Sequence, residues 1–183
     1  MARYYDLDDI ITEDEGTSVI FQVGANGVGL LDPSSENNNV EKGSKVDLPF
    51  WLAHELYLRK AVTINFPACF NQKIRKEIQA DAACVDLKIQ CPYFYEFGCK
   101  IIPLTGDKTL GSFLQYAFTS RYKEALSKSH GAGTSPKFLN RLTIEETHLF
   151  EAARCSMINL KKWRLGGCRL EKAAILGRKR KSV

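Results

Sequence analysis

The spacing of hydrophobic residues changes at Pro67. Before Pro67, apolar residues alternate with polar ones in two short segments, as they do in half-buried β-strands. The alternating residues are Val46, Leu48, Val62, Ile64 and Phe66. After Pro67, apolar residues recur every three or four positions, the period of a helix with one buried face. Because one segment cannot satisfy both periods, we expect an α+β fold in which a small β-rich N-terminal domain precedes a mainly α-helical domain.

Three helical stripes follow Pro67. The first runs through Phe70, Ile74, Ile78, Ala82 and Val85, and the second through Leu110, Phe113, Leu114, Ala117, Phe118 and Leu126. A third helix is predicted to begin at Thr143, because Thr143 and Glu146 have the spacing of a capping box that binds free N–H groups of the first turn. Gly166 and Gly167 are placed to end that helix.

The N-terminal part carries two further signals. Residues 4–15 are acidic and contain three apolar residues at helical spacing, which predicts a short helix docked on the rest of the chain. Asn26-Gly27 lies between two segments of β-forming residues, 17–23 and 28–31. Because Asn and Gly tolerate positive φ, a hairpin is predicted at that point.

Charge divides the chain further. Residues 1–41 contain nine acidic residues and one basic residue, whereas residues 161–183 contain nine basic residues and one acidic residue. We therefore predict three parts: a β-rich domain over residues 1–67, a helical domain over residues 68–167, and a basic flexible tail over residues 168–183. A short basic cluster is typical of a nuclear localisation signal or a nucleic-acid patch, and a merely solubilising tail is the alternative. The cluster is Arg178, Lys179, Arg180 and Lys181.

Three cysteines lie close together in the stretch DAACVDLKIQCPYFYEFGCKI. Cys84, Cys91 and Cys99 are separated by six and seven residues, whereas zinc ligands usually come in close pairs. Free cysteine is among the most often buried residue types, so we interpret this stretch as core or partner interface, with no metal and no cofactor. The first ten residues lack an apolar signal-peptide segment, which indicates a reducing compartment where all six cysteines stay thiols.

Signatures of catalysis are sparse. His54, His130 and His148 are scattered and fit no metal-binding motif, and the sequence has neither a P-loop nor a G-x-S-x-G motif. We predict no catalytic residue, although triads assembled from distant residues keep an enzyme as the weakest alternative. The aromatic residues exceed what a one-sided core needs and are predicted to form the core or a subunit interface. They are Tyr93, Phe94, Phe97, Phe113, Phe118, Tyr122, Phe150 and Trp163.

Two segments resemble a known family. The segment KGSKVDLPFWLAHEL, residues 42–56, is similar to the G-x-x-V-x-L-P-x-W-L-A signature in the small β-rich domain of GINS complex subunits. The matching residues are Gly43, Val46, Leu48, Pro49, Trp51, Leu52 and Ala53. The segment VDLKIQCPYFYEFGCKI, residues 85–101, resembles a helix of the subunit 3 branch of this family. The resemblance covers about residues 3–166, and the order of the two domains agrees with it.

The resemblance implies a non-catalytic function in DNA replication. GINS is a heterotetramer that joins the MCM ring and a Cdc-family accessory factor to form the CMG replicative helicase, in which ATP hydrolysis belongs to MCM. The implied partners are the three other GINS subunits, the MCM ring and the accessory factor. The implied location is the nucleus, with only indirect contact to DNA and none to a membrane. A small basic nucleic-acid-binding module that uses the basic end and Trp163 is the alternative.

Overall fold

The computed structural model describes residues 5–31, 39–131 and 135–166. Its strands are β1 Gly16–Phe21, β2 Ala25–Asn26, β3 Asn39–Val40, β4 Lys45–Pro49 and β5 Val62–Ile64. Its α-helices are α1 Leu7–Glu13, α2 Phe50–Leu58, α3 Gln72–Ala80, α4 Leu87–Gln90, α5 Phe94–Thr105, α6 Lys108–Ser129, α7 Pro136–Leu139 and α8 Ile144–Arg164. Single 3₁₀ turns occupy Gly29–Leu31 and Ala68–Phe70. The predicted α+β order, strands first and helices second, is confirmed.

A three-stranded antiparallel sheet forms the core of the N-terminal part. β1 is the central strand, with β4 and β5 at its edges. Val19 lies opposite Val46 on one side and Ile64 on the other, and all three side chains are buried. The alternation predicted for β4 and for Val62 and Ile64 is therefore confirmed, whereas Phe66 lies beyond the end of β5 and is exposed. Because proline lacks the N–H that a strand ladder needs, Pro49 ends β4, and α2 begins at the next residue.

The predicted hairpin at Asn26-Gly27 is wrong. β1 already pairs with β4 and β5 along its two edges, so residues 28–31 find no edge to join, and residues 29–31 form a 3₁₀ turn. β2 pairs with β3 instead. Gly27 does adopt a positive φ of 79°, but it follows β2 directly, and its N–H donates to Asn39 Oδ1 of β3 at 3.3 Å.

The helix predictions hold with one shortened element. α1 confirms the acidic N-terminal helix. α3 begins at Gln72 and ends at Ala80, so of the predicted stripe Phe70 lies in the 3₁₀ turn before the helix, and Ala82 and Val85 lie in the turns after it. α8 begins with the predicted capping box, in which the Glu146 N–H donates to Thr143 Oγ1 at 3.2 Å and the Thr143 N–H donates to Glu146 Oε2 at 3.1 Å.

The β-rich and helical parts share a packed boundary. Phe50, the first residue of α2, is buried in the helical core, and its ring meets that of Phe97 edge-on at 5.7 Å. Gly98 allows α6 to approach α5 closely, because a Cβ there would lie 2.6 Å from Leu114 Cδ1. The aromatic stretch around Phe97 therefore forms the centre of the fold. No helix among the described residues is long and apolar enough to cross a membrane.

The cysteines of the described residues divide between core and surface. Cys69 and Cys91 are buried, whereas Cys84, Cys99 and Cys155 are exposed. A hydrogen bond with the Cys69 thiol, together with burial, raises the pKa of Cys91 and keeps that thiol protonated. Within the described part of the chain, no group of three or more His, Cys, Asp or Glu side chains is placed to hold a metal ion.

Candidate assembly surface

The two halves of α8 have different surroundings. In the first two turns, Glu146 and Phe150 are buried, and this part of the helix packs on α6. From residue 151 to residue 164 every side chain is exposed except Ala153 and Met157, which are half-buried. The second half of α8 therefore extends beyond the packed body of the helical part.

Arg121 of α6 fixes the first half of α8. Its Nε lies 2.6 Å from Glu146 Oε1 and its Nη2 lies 2.8 Å from Glu146 Oε2, a two-point ion pair. The guanidinium also donates to the backbone carbonyls of Ala82, Val85 and Arg141. Burial alone would lower the pKa of Arg121, but the hydrogen bonds and charge of Glu146 outweigh it and raise that pKa. The buried guanidinium thus ties four chain segments together.

Glu145 extends this network to α5. Its Oε1 accepts hydrogen bonds from the backbone N–H groups of Tyr95 and Glu96, both at 3.1 Å. These N–H groups belong to the first turn of α5, where helical partners are lacking. The Tyr95 hydroxyl donates to Glu146 Oε1 at 2.6 Å. Burial raises the pKa of Glu145 and that of Tyr95. Two consecutive glutamates of α8 therefore hold the two neighbouring helices α5 and α6.

The second half of α8 presents large apolar side chains to solvent. Trp163 is 73% exposed, and Ile158 and Leu160 are exposed as well. Ala153 and Met157 continue the face that Phe150 buries, since they follow it by three and seven residues. Apolar exposure concentrated on one element is typical of a protein–protein interface.

A second set of exposed apolar residues lies on α6. Phe118, Tyr122 and Leu126 follow one another at four-residue spacing and share one helix face. The Phe118 ring stacks on Tyr122 at 5.7 Å and meets the Tyr95 ring edge-on at 5.3 Å. We define the α6–α8 surface as the exposed large apolar residues of both helices. They are Tyr116, Phe118, Tyr122, Leu126, Leu149, Ile158, Leu160 and Trp163.

The eight aromatic residues selected from the sequence fall into two groups. Buried within the folded chain are Tyr93, Phe94, Phe97, Phe113 and Phe150. Exposed on the α6–α8 surface are Phe118, Tyr122 and Trp163. Spacing alone could not separate these groups, because an apolar stripe has the same period whether its own chain or a partner covers it. The participation of the exposed group in assembly stays a prediction.

Sequence reasoning missed the charged network beneath this surface. Arg121 lies at four-residue spacing between Ala117 and Ala125, both buried. A basic residue on an otherwise buried stripe is the signal that could have identified it, because a buried charge requires a partner. Nothing local in the sequence identifies Glu146 as that partner, since the two residues lie on different helices.

The residues of the resembling motif build the β-rich part. Gly43 adopts a φ of 91°, in the region that favours glycine. The others are the buried Val46, Leu48 and Ala53, the half-buried Pro49 and Leu52, and the exposed Trp51. The predicted basic cluster at residues 178–181 lies outside the described residues.

The fold defines a class of protein, a mainly helical protein with a small β-rich domain before the helices. Comparison with known families makes this specific. Residues 5–58 match the family model of the PSF3 N-terminal domain. Residues 69–165, over half of the chain, match that of the GINS complex protein helical bundle domain. The chain therefore belongs to the family of GINS complex proteins.

Individual relatives agree with the family models. A protein of Phaeosphaeria nodorum named DNA replication complex GINS protein PSF3 is 29% identical over 173 residues, covering 89% of this chain and 96% of that protein. The Schizosaccharomyces pombe protein of the same name is 29% identical over 164 residues, covering 87% and 96%. A Dictyostelium discoideum protein named probable DNA replication complex GINS protein PSF3 is 28% identical over 162 residues, covering 87% of this chain and 61% of that longer protein.

Proposed function

We propose that this chain is a non-catalytic subunit of a heterotetrameric GINS complex that acts in chromosomal DNA replication. Its partners are the three other GINS subunits, and through them the MCM ring and the Cdc-family accessory factor of the CMG helicase. Its membership of the GINS family supports this proposal. The observation that carries it is the second half of α8, a helix segment whose apolar residues remain exposed in the single chain.

A physical argument connects that observation to assembly. Short helices without tertiary packing are marginal in water, because most helix stability in proteins comes from burying an apolar face. Residues 151–164 make few buried contacts of their own, yet carry Ile158, Leu160 and Trp163. A partner that covers these side chains supplies the missing packing, and Phe118, Tyr122 and Leu126 on one face of α6 offer a second apolar contact.

Co-expression with the three sister subunits tests the proposal. Leu160→Glu places a charge on the α6–α8 surface and is expected to weaken incorporation into the tetramer by about 30-fold or more, the effect of losing an interface hot spot. Asn159→Glu is the control for the added charge, because residue 159 is exposed and already polar in the parent chain, so that this variant adds a charge without removing an apolar side chain. Size-exclusion chromatography with quantified subunit ratios measures incorporation. Equal incorporation of both variants and the parent chain would refute the assembly role of this surface.

The basic cluster Arg178, Lys179, Arg180 and Lys181 is proposed to act in nuclear import. Its four consecutive basic residues are complementary in charge to an acidic receptor groove. Replacing all four residues with alanine should leave the tetramer intact while a fluorescent fusion shifts to the cytoplasm. Cells in which sister subunits cannot carry the chain into the nucleus provide the test. A variant that stays nuclear there removes the import role and leaves a solubilising tail.

One observation favours a second candidate function, binding of nucleic acid. At the end of α8, Lys161, Lys162 and Arg164 flank the exposed Trp163. Basic residues beside an aromatic side chain can bind single-stranded nucleic acid, because the positive charges attract the phosphates and the ring stacks on a nucleobase. This function predicts that the purified complex binds single-stranded DNA at low salt and releases it as salt rises. Under the assembly function, the partner subunits cover Trp163, and its substitution by alanine leaves DNA binding unchanged.

A further inference from the structure

α1 is oriented with its charged residues inward and its aliphatic residues outward. Thr12 is fully buried against the rest of the chain. The Tyr93 hydroxyl donates to Asp8 at 3.0 Å, and Lys100 binds Asp9 and, at 3.0 Å, Glu13. The charged residues that would normally face water therefore attach α1 to α5.

The outward face of α1 is apolar as a consequence. Leu7 is 71% exposed, Ile10 is 52% exposed and Ile11 is 51% exposed. Two acidic residues at the C-terminal end of α1 border this face: Asp14, which follows the last residue of the helix, is exposed, and the side chain of Glu13 is 46% exposed while it also binds Lys100. We define the outer face of α1 as Leu7, Ile10, Ile11 and this acidic border. Three adjacent aliphatic side chains with an acidic border match a ligand that is both apolar and basic.

We propose that the outer face of α1 binds the chain's own C-terminal segment, residues 167–183. This segment contains the aliphatic residue Leu170 and, directly before the basic run GRKRKSV, the aliphatic residues Ile175 and Leu176. Its apolar part and its basic run are thus complementary to the aliphatic centre and the acidic border of the outer face.

The distances permit this contact. The start of α8 lies beside α1, since His148 Nδ1 is 3.9 Å from Asp8 Oδ2. From residue 148 to the end of α8 at Arg164, the helix runs roughly 24 Å at 1.5 Å per residue. Residues 167–177 can span up to roughly 36 Å when extended, so the chain can return along α8 and place its basic run at α1. Covalent connection also gives the segment a high effective concentration at that face.

Hydrogen exchange on the assembled complex tests the proposal. Two complexes are compared, one with the full chain and one in which the chain ends after Gly166. Loss of the segment is expected to speed amide exchange in residues 7–13 by about tenfold, because an uncovered short helix opens more often. A synthetic peptide of residues 167–183 should restore slow exchange, and salt at about 0.5 M should weaken the protection because it screens the charge pairing.

Matched substitutions locate the contact. In an Ile10→Ser background, removing the segment should have no further effect on exchange in α1, because the two changes disrupt one interaction. In an Ile89→Ser background, removal of the segment should keep its full effect, since Ile89 is an exposed isoleucine of a different helix, α4. The proposal is overturned if exchange in α1 is the same with and without the segment. It is also overturned if α1 is protected only when a sister subunit is present, whatever the state of the segment, because that subunit then covers the outer face.

Discussion

The first two turns of α8 and the rest of the same helix show two ways in which a chain can use apolar and charged residues. The first part is folded into its own domain by Phe150 and by the Arg121–Glu146 ion pair. The second part carries comparable side chains, such as Leu160 and Trp163, but leaves them exposed. Because the sequence period is the same in both parts, the difference arises from what lies opposite each part, and not from the helix itself.

Under the proposed function, this difference separates stability from assembly along one helix. Substitutions in the first part act on folding, because they disturb groups whose partners lie within the chain. Under the proposed function, substitutions in the second part are expected to act on association, because that function assigns the partners of those groups to other chains. The boundary falls near residue 151, where burial ends.

The largest effect on folding is expected at Arg121. Arg121→Met removes the guanidinium and leaves the Glu146 carboxylate buried without its charge partner, which typically costs about 3–5 kcal/mol. Arg154→Met is the matched control on the exposed part of α8, where surface substitutions usually change stability by less than about 0.5 kcal/mol. Native-state hydrogen exchange of residues 144–150 in the assembled complex gives the free energy of opening for both variants. Similar losses of opening free energy in the two variants would show that the two halves of α8 do not differ in their contribution to folding.

Local sequence signals predicted the parts of the fold that depend on local interactions. The alternation of Val46 and Leu48 identified β4, and the spacing of Thr143 and Glu146 identified the start of α8, because periodicity and capping involve residues a few positions apart. The hairpin predicted at Asn26-Gly27 was wrong for the opposite reason. A turn signal specifies backbone geometry, but β1 found its partners in distant strands that leave no edge for the following residues.

The candidate site, like the fold, could be predicted from the sequence only where local patterns determine it. The aromatic content of the helical part indicated a surface larger than one core requires, and Trp163 was among the residues named. The division between Phe113, which is buried, and Phe118, which is exposed, depends on how α5 and α6 pack. The ion pair of Arg121 with Glu146 depends on how α6 meets α8. Both require the tertiary arrangement, which no local pattern contains.

A smaller effect is expected at the capping box of α8. Thr143→Ala removes the acceptor for the Glu146 N–H and should lower the stability of the first turn by about 1 kcal/mol, the usual value for a lost N-cap. Ser156→Ala is the control, because Ser156 is exposed in the second half of the helix. Exchange rates at residues 146–148 should rise for the first variant only. Faster exchange confined to residues 151–164 would instead mean that the cap stabilises the exposed half.

The smallest effect is expected in the pH dependence contributed by Glu145. Burial raises the folded-state pKa of this carboxyl above its value of 4.5. The folded state therefore binds a proton more tightly than the unfolded state, and the associated stability is present at low pH and is lost as pH rises through the raised pKa.

Glu145→Gln keeps an oxygen that can accept from the Tyr95 and Glu96 N–H groups but has no proton to lose. Between about pH 5 and pH 7, the opening free energy of the first turn of α5 should fall in the parent complex by about 0.5 kcal/mol or less and stay level in the variant. Glu151→Gln, on the exposed half of α8, should leave the parent behaviour unchanged. A rise of stability with pH in the parent that Glu145→Gln abolishes would mean that the hydrogen bonds from α5 outweigh burial at this carboxylate.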